Sequence, residues 1–84
     1  MVRHEETDVT GGDDTPKALF AFGMKYATGH SVAQDLVAAH KWFNLAAVRG
    51  YQEAVRLRRE IAAEMSPAQI AQAQRAARDW LAAH

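Results

Sequence analysis

Apolar residues recur at helical spacing in four stretches of the chain, and no stretch alternates as a half-buried β-strand does. The stretches predict helices at residues 16–28, 36–49, 51–64 and 67–82. The spacing predicts these inward-facing positions: Ala18, Leu19, Phe22 and Tyr26; Leu36, Ala39, Phe43, Ala46 and Ala47; Ala54, Leu57, Ile61 and Met65; Ile70, Ala73, Ala77, Trp80 and Leu81. Because the connections are short, the predicted fold is all-α, with four helices arranged as two antiparallel helical hairpins.

Capping residues indicate where these helices begin and end. Thr15 followed by Pro16 is typical of a helix start, because threonine accepts a backbone N–H and proline has none to satisfy. Asp35 is predicted to cap the second helix, and Ser66 with Gln69 predicts a capping box on the fourth. Two glycines are expected to end the first and second helices: Gly29 and Gly50.

Gly23 lies inside the first predicted helix, where a glycine costs roughly 1 kcal/mol relative to alanine. A bare backbone at this position would allow a neighbouring helix to approach closely. The expected partners are small side chains of the second helix: Ala39, Ala46 and Ala47. We therefore expect a tightly packed first hairpin.

Composition and length narrow the class of protein. A chain of 84 residues forms one domain at most. It has no cysteine, which excludes a disulfide framework and thiolate metal sites and fits a reducing compartment. The sequence shows neither an apolar segment long enough to span a membrane nor the apolar core of a signal peptide. We therefore expect a soluble protein in the cytoplasm.

Charge divides the chain into two regions. Residues 1–14 hold one arginine and five acidic residues, without apolar periodicity, and are expected to form a disordered acidic tail. Residues 15–84 hold nine lysines and arginines against five acids and are expected to form the single helical domain. This excess is mild, and a nucleic-acid surface would require a denser basic stripe with aromatic residues between the charges.

Residues 18–54 resemble one unit of the Sel-one-like repeat (SLR) family, which is related to the tetratricopeptide repeat. The matching positions are Ala18, Phe22-Gly23, Tyr26, Gly29, Val32, Asp35, Ala39, Trp42-Phe43, Ala46-Ala47, Gly50 and Ala54. The spacing from Ala18 to Ala54 is close to the tetratricopeptide period of roughly 34 residues. Ser31 stands where the family usually has a second glycine in the loop. Residues 54–84 do not match a second unit and are similar to the capping hairpins that close such arrays.

The resemblance implies a fold and a class of role. Members of this family are α-solenoid scaffolds that mediate protein–protein contacts, often in bacterial signalling, envelope processes or protein quality control. It implies no reaction, and none of the matched residues carries over as catalytic.

Residues capable of chemistry are present, but their spacing favours structural roles. His30 and His40 are far apart for zinc ligands, which usually lie closer together, and the histidines are expected at the surface or its boundary. Ser66 is better explained as a helix cap than as a nucleophile, and Ser31 beside a histidine does not make a triad. The remaining carboxylate and glycine pairs fall in the acidic segment. We therefore expect no enzyme activity, cofactor or metal site.

An unpaired repeat has open ends, so a partner is expected to cover one of them. Phe20 and Met24 lie off the inward stripe of the first helix, and Trp42 neighbours Phe43 on the second. Tryptophan is enriched among binding hot spots, and flanking cations would steer a partner. The predicted partner-binding residues are Phe20, Met24, Lys25, Lys41, Trp42 and Arg49.

The leading hypothesis is a non-catalytic adaptor that binds a protein or peptide through these residues. The alternative is a structural homo-oligomer or cap without a separate ligand, and nucleic-acid binding is the weaker third possibility.

Overall fold

The computed structural model describes residues 15–84, which contain four helices and no strand. The helices are α1 (Pro16–Thr28), α2 (Leu36–Val48), α3 (Gln52–Ala62) and α4 (Pro67–Ala83). The predicted all-α class is confirmed, and each boundary lies within two residues of its predicted position. The acidic tail predicted at residues 1–14 lies outside the described residues.

The helix caps form as the sequence predicts. The side chain of Thr15 accepts the N–H of Ala18 at 3.1 Å, and Asp35 Oδ1 accepts the N–H of Ala38 at 3.0 Å. These interactions satisfy backbone donors that have no partner within the helix. At α4 the capping box is complete. The backbone N–H of Gln69 donates to Ser66 Oγ, and the side-chain oxygen of Gln69 accepts the backbone N–H of Ser66.

The loop between α1 and α2 turns on two left-handed residues. Gly29 ends α1 with a φ of 74°, and its N–H donates to the carbonyl of Lys25. Ser31 adopts a φ of 71° although it has a side chain. Ser31 therefore adopts the left-handed backbone conformation, in which a glycine would be less strained.

Helix α2 lies at the centre of the molecule, because it packs against each of the other three helices. The remaining pairs of helices, including α3 with α4, approach each other only slightly. The α1–α2 hairpin is thus a close pair, whereas α3 and α4 follow each other in sequence and pack mainly against α2. Arg58 of α3 reinforces this arrangement with a 2.7 Å hydrogen bond to the side-chain oxygen of Asn44.

Burial confirms most of the predicted inward positions and corrects two points. The buried hydrophobic residues are Leu19, Ala39, Phe43, Leu45, Ala46, Ala54, Ile61, Met65, Ala73 and Ala77. Leu81, expected inward, is 37% exposed, and Leu45, not expected there, is fully buried. Because α2 packs against three helices, it buries more of its circumference than a helix with one inward face would.

Gly23 has the predicted role with a different partner. Helix α2 does approach closely there, but what meets the glycine is the fully buried ring of Phe43 rather than the alanines. A Cβ atom on Gly23 would lie 3.0 Å from Phe43 Cγ and closer still to its Cδ1 and Cε1. The missing side chain therefore makes room for an aromatic ring in the α1–α2 interface.

Candidate functional site

An open groove of about 520 Å³ runs along one face of α1. The surface that its lining residues expose in the groove is almost wholly apolar. The lining residues, which define the α1 groove, are Lys17, Phe20, Ala21, Met24, Lys25, Thr28, His30 and Tyr51. The lining residues from α1 recur every three or four positions, as Lys17, Phe20 or Ala21, Met24 or Lys25, and Thr28 do. This spacing places them all on one side of the helix. A single stripe of α1, bordered by the following loop and the start of α3, thus forms the groove.

The floor of the groove is held in place by aromatic contacts to the core. The ring of Phe20 lies 5.5 Å from that of Phe43 and 4.6 Å from that of Tyr51, measured between centroids. Phe43 is fully buried, so it offers Phe20 a rigid support. Phe20 and Met24 are themselves partly buried and pack against the core cluster. The apolar floor is therefore anchored while one side of it stays open.

Two lysines border the groove, Lys17 at the N-terminal end of its lining and Lys25 on one side of it. Lys17 and Lys25 are exposed, and their separation along α1 is about 12 Å at 1.5 Å per residue. None of the residues that line the groove is acidic, and α1 contains no acidic residue. Thr28 uses its hydroxyl to donate to the carbonyl of Met24 at 2.8 Å. The groove therefore combines an apolar floor with two bordering lysines and no acidic residue.

A second group of aromatic residues, the tryptophan cluster, lies on a different side of α1 and joins it to α2 and α4. The cluster consists of Phe22, Trp42, Trp80 and His84. The ring centroids of Phe22 and Trp42 are 5.1 Å apart, those of Trp42 and Trp80 are 6.0 Å apart, and His84 stacks on Trp80 at 4.2 Å. Phe22 and Met24 point roughly 160° apart around α1, which separates the cluster from the groove.

Cationic side chains lie over the rings of the tryptophan cluster. Lys41 Nζ is 4.2 Å from the Trp42 ring centroid, and the guanidinium of Arg49 is 5.6 Å from that of Trp80. Lys25, whose chain also borders the groove, places its Nζ 5.9 Å from the Phe22 ring. These contacts engage ring faces within the chain and reduce the aromatic surface left for a partner.

The six predicted partner-binding residues thus fall into two groups. Phe20, Met24 and Lys25 come together in the α1 groove. The other three lie in or over the tryptophan cluster: Lys41, Trp42 and Arg49. Sequence reasoning missed Lys17, whose position on the stripe of Phe20 and Met24 could have revealed it. It also missed Tyr51, which reaches the groove only through the tertiary fold.

His40 departs from its predicted surface position. It is 4% exposed, and its Nδ1 atom has no hydrogen-bond partner among residues 15–84. Burial lowers the pKa of His40 below its usual value, and the positive charge of Arg58 lowers it further. His40 is buried because α2 packs against several helices.

Within residues 15–84 no group of three or more histidine, cysteine, aspartate or glutamate side chains is placed to hold a metal ion. The helices of this part of the chain are also too short or too polar to cross a membrane.

The four helices define a small all-α protein of the helical-hairpin class. Comparison with protein-family models, curated proteins and solved structures found no match.

Proposed function

We propose that this chain is a non-catalytic interaction module of the Sel-one-like repeat type, which binds a protein or peptide partner in the α1 groove. The observation that carries the proposal is the groove itself, an open apolar surface built on a rigid floor and bordered by lysines. Its volume of about 520 Å³ suits several apolar side chains of a ligand. The resemblance of residues 18–54 to a repeat that mediates protein contacts supports the same role.

The groove has features that favour a macromolecular ligand over a small polar metabolite. Binding energy at protein interfaces concentrates in a few buried apolar anchors surrounded by polar residues. Phe20 and Met24 offer such a surface, and the lysines supply the surrounding charge. A polar metabolite would need several converging hydrogen-bond partners, and the nearly apolar lining offers few. The proposal includes a cytoplasmic location, which the lack of cysteine supports.

The test is selection of binding peptides from a random display library on the immobilised full chain, followed by affinity measurement on variants. Met24→Glu places a charge on the apolar floor and should abolish binding of the selected peptides. The matched control is Gln72→Glu, which adds the same carboxylate at an exposed position of α4. Far-UV circular dichroism of both variants verifies that they fold.

Peptides that bind the wild type and the control alike, and lose binding to Met24→Glu, would establish the groove as a binding site. Failure to select any peptide, or selection of peptides that bind both variants equally, would contradict the proposal.

Self-association is the second candidate, and two exposed apolar residues favour it. Val48 is 60% exposed and Leu81 is 37% exposed. Their neighbours Arg49 and Trp80 are in contact, so both residues lie at the same end of the molecule. A mass that rises with concentration in analytical ultracentrifugation, and returns to the monomer value in Val48→Glu, would favour this candidate.

A further inference from the structure

We infer that the ligand of the α1 groove is an amphipathic helix of a partner protein, with acidic residues beside its apolar anchors. The inference rests on the proposed function, because it specifies the chemistry of the ligand at the same site. Three observations carry it: the nearly apolar lining, the two lysines that border it, and the lack of acidic residues in the lining.

The lining favours a helix over an extended strand. An extended segment presents backbone N–H and C=O groups to the surface it contacts, and each group that is buried without a partner costs roughly 1–3 kcal/mol. The lining offers few polar atoms, and the hydroxyl of Thr28 already donates to a carbonyl of α1. A helix satisfies its own backbone and presents only side chains, so it can lie in an apolar groove without this cost.

The dimensions of the groove agree with this. From Lys17 to Thr28 the lining follows α1 for about three turns, since an α-helix has 3.6 residues per turn. A partner helix of the same length offers apolar side chains spaced by three or four residues, which is the usual pattern of anchors for a helix in a groove. Phe20 and Met24, one turn apart, would lie between successive anchors.

The charges favour an acidic partner. Lys17 and Lys25 border the groove, and no acid in the lining neutralises them. Charges at the edge of an interface contribute modestly to affinity but strongly to the rate of association and to partner selection. A helix with glutamate or aspartate beside its apolar stripe would meet these lysines, whereas a basic helix would be repelled.

The same charges disfavour a second copy of this chain as the occupant. A two-fold interface places the same surface patch of both copies in contact. Through the α1 groove it would bring Lys17 and Lys25 of one copy against those of the other, in an interface with no acid in the lining to compensate. Residues 1–14 of the chain, with five acids, are the remaining alternative occupant that the experiment must distinguish.

The experiment is a display selection on the full chain with a library of amphipathic helical peptides. Their apolar anchors are fixed at helical spacing, and the flanking positions vary freely among acidic, neutral and basic residues. We expect acidic residues to be enriched beside the anchors. An acidic peptide chosen from the selection, and versions of it with neutral and basic flanks, then serve as probes for affinity measurements.

The probes are measured against a charge-reversed chain and its control. Lys17→Glu with Lys25→Glu should weaken the acidic probe by about 10-fold to 100-fold and improve the basic probe. The control is Arg75→Glu with Arg78→Glu, which makes the same charge change at exposed positions of α4. The control should bind the acidic probe as the wild type does. Rising salt should weaken the acidic probe on the wild type and leave the neutral probe unchanged.

Selection of neutral or basic flanks, or equal binding of all three probes in the groove, would overturn the inference while the proposed function stands. Loss of every probe from the groove would overturn both. Two further results would replace the partner helix with another occupant. The first is a concentration-dependent dimer that Met24→Glu abolishes. The second is a gain of about 10-fold in affinity for the acidic probe when the acids of residues 1–14 are changed to amides.

Discussion

The α1 groove and the tryptophan cluster use the same kinds of side chain and arrange them in opposite ways. In the cluster, Trp42 and Trp80 lie against other rings, and cations from the same chain lie over them. In the groove, Phe20 and Met24 rest on the core but keep one side open, and lysines border them. An aromatic residue near a cation is therefore a candidate for partner binding only where one side of it stays open.

The largest expected effect separates stability from binding. Trp80→Ala removes the ring that lies between Trp42 and His84, and it should lower the free energy of unfolding by about 2–3 kcal/mol. Peptide binding in the α1 groove should be unchanged, because Trp80 does not line it. Urea unfolding followed by far-UV circular dichroism, together with peptide titration under native conditions, measures both quantities.

The control for this prediction is Leu81→Ala, which truncates an exposed neighbour on α4 and should change the stability by at most about 0.5 kcal/mol. Loss of groove binding in a Trp80→Ala chain that remains folded would show that the two regions act as one site.

A change at Gly23 should disturb the groove more than the cluster. Gly23→Ala forces a methyl group against the Phe43 ring and should destabilise the fold by about 2 kcal/mol. Phe43 supports Phe20, so the methyl resonance of Met24 should shift more in an NMR spectrum than the indole N–H resonances of Trp42 and Trp80. Helix propensity alone predicts that Gly23→Ala raises the free energy of unfolding by about 1 kcal/mol. A stabilised variant would therefore contradict the packing explanation.

Acid should weaken the fold through His40, a residue that belongs to neither region. Its pKa is lowered by burial and by Arg58, so the unfolded chain takes up the proton more readily than the folded one. Well above pH 6.5, the ordinary pKa of a histidine, the imidazole is neutral in both the folded and the unfolded chain, and His40 then makes no contribution to the pH dependence of stability. As the pH falls below that value the stability declines, by about 1.4 kcal/mol for each unit by which the pKa is lowered.

Urea unfolding at a series of pH values measures this effect. His40→Leu should flatten the acid side of the profile, whereas the matched change at the exposed His30 should leave it in place. An unchanged profile in His40→Leu would mean that another group causes the acid sensitivity.

The smallest expected effect concerns the loop that borders the groove. Ser31→Gly relieves left-handed strain and should stabilise the fold by up to about 1 kcal/mol, partly offset by the greater flexibility of glycine when unfolded. Gly29→Ala should have the opposite effect, because it introduces the same strain at a φ of 74°. Thermal unfolding of both variants measures the difference, and a destabilised Ser31→Gly chain would show that the serine side chain has a separate role.

Much of the fold could be predicted because its determinants are local. The starts of three of the four helices follow from side-chain caps that act within three residues, such as Ser66 with Gln69. Half of the predicted site residues, namely Phe20, Met24 and Lys25, do line one groove, because spacing on a single helix places them on one side. Trp42 could not be placed in this way, because its environment depends on Phe22 and Trp80 from two other helices.

The sequence by itself determined the number of helices, where they begin and end, and which face of α1 carries the apolar stripe, since hydrogen bonds and spacing within a few residues decide these features. Only the tertiary structure decided that α2 packs against all three other helices. That arrangement buries Leu45 and His40, places Phe43 against Gly23 and brings Tyr51 beside Phe20. Contacts between distant residues depend on how whole helices pack, and packing follows from the shapes of all the surfaces together rather than from any one stretch of the chain.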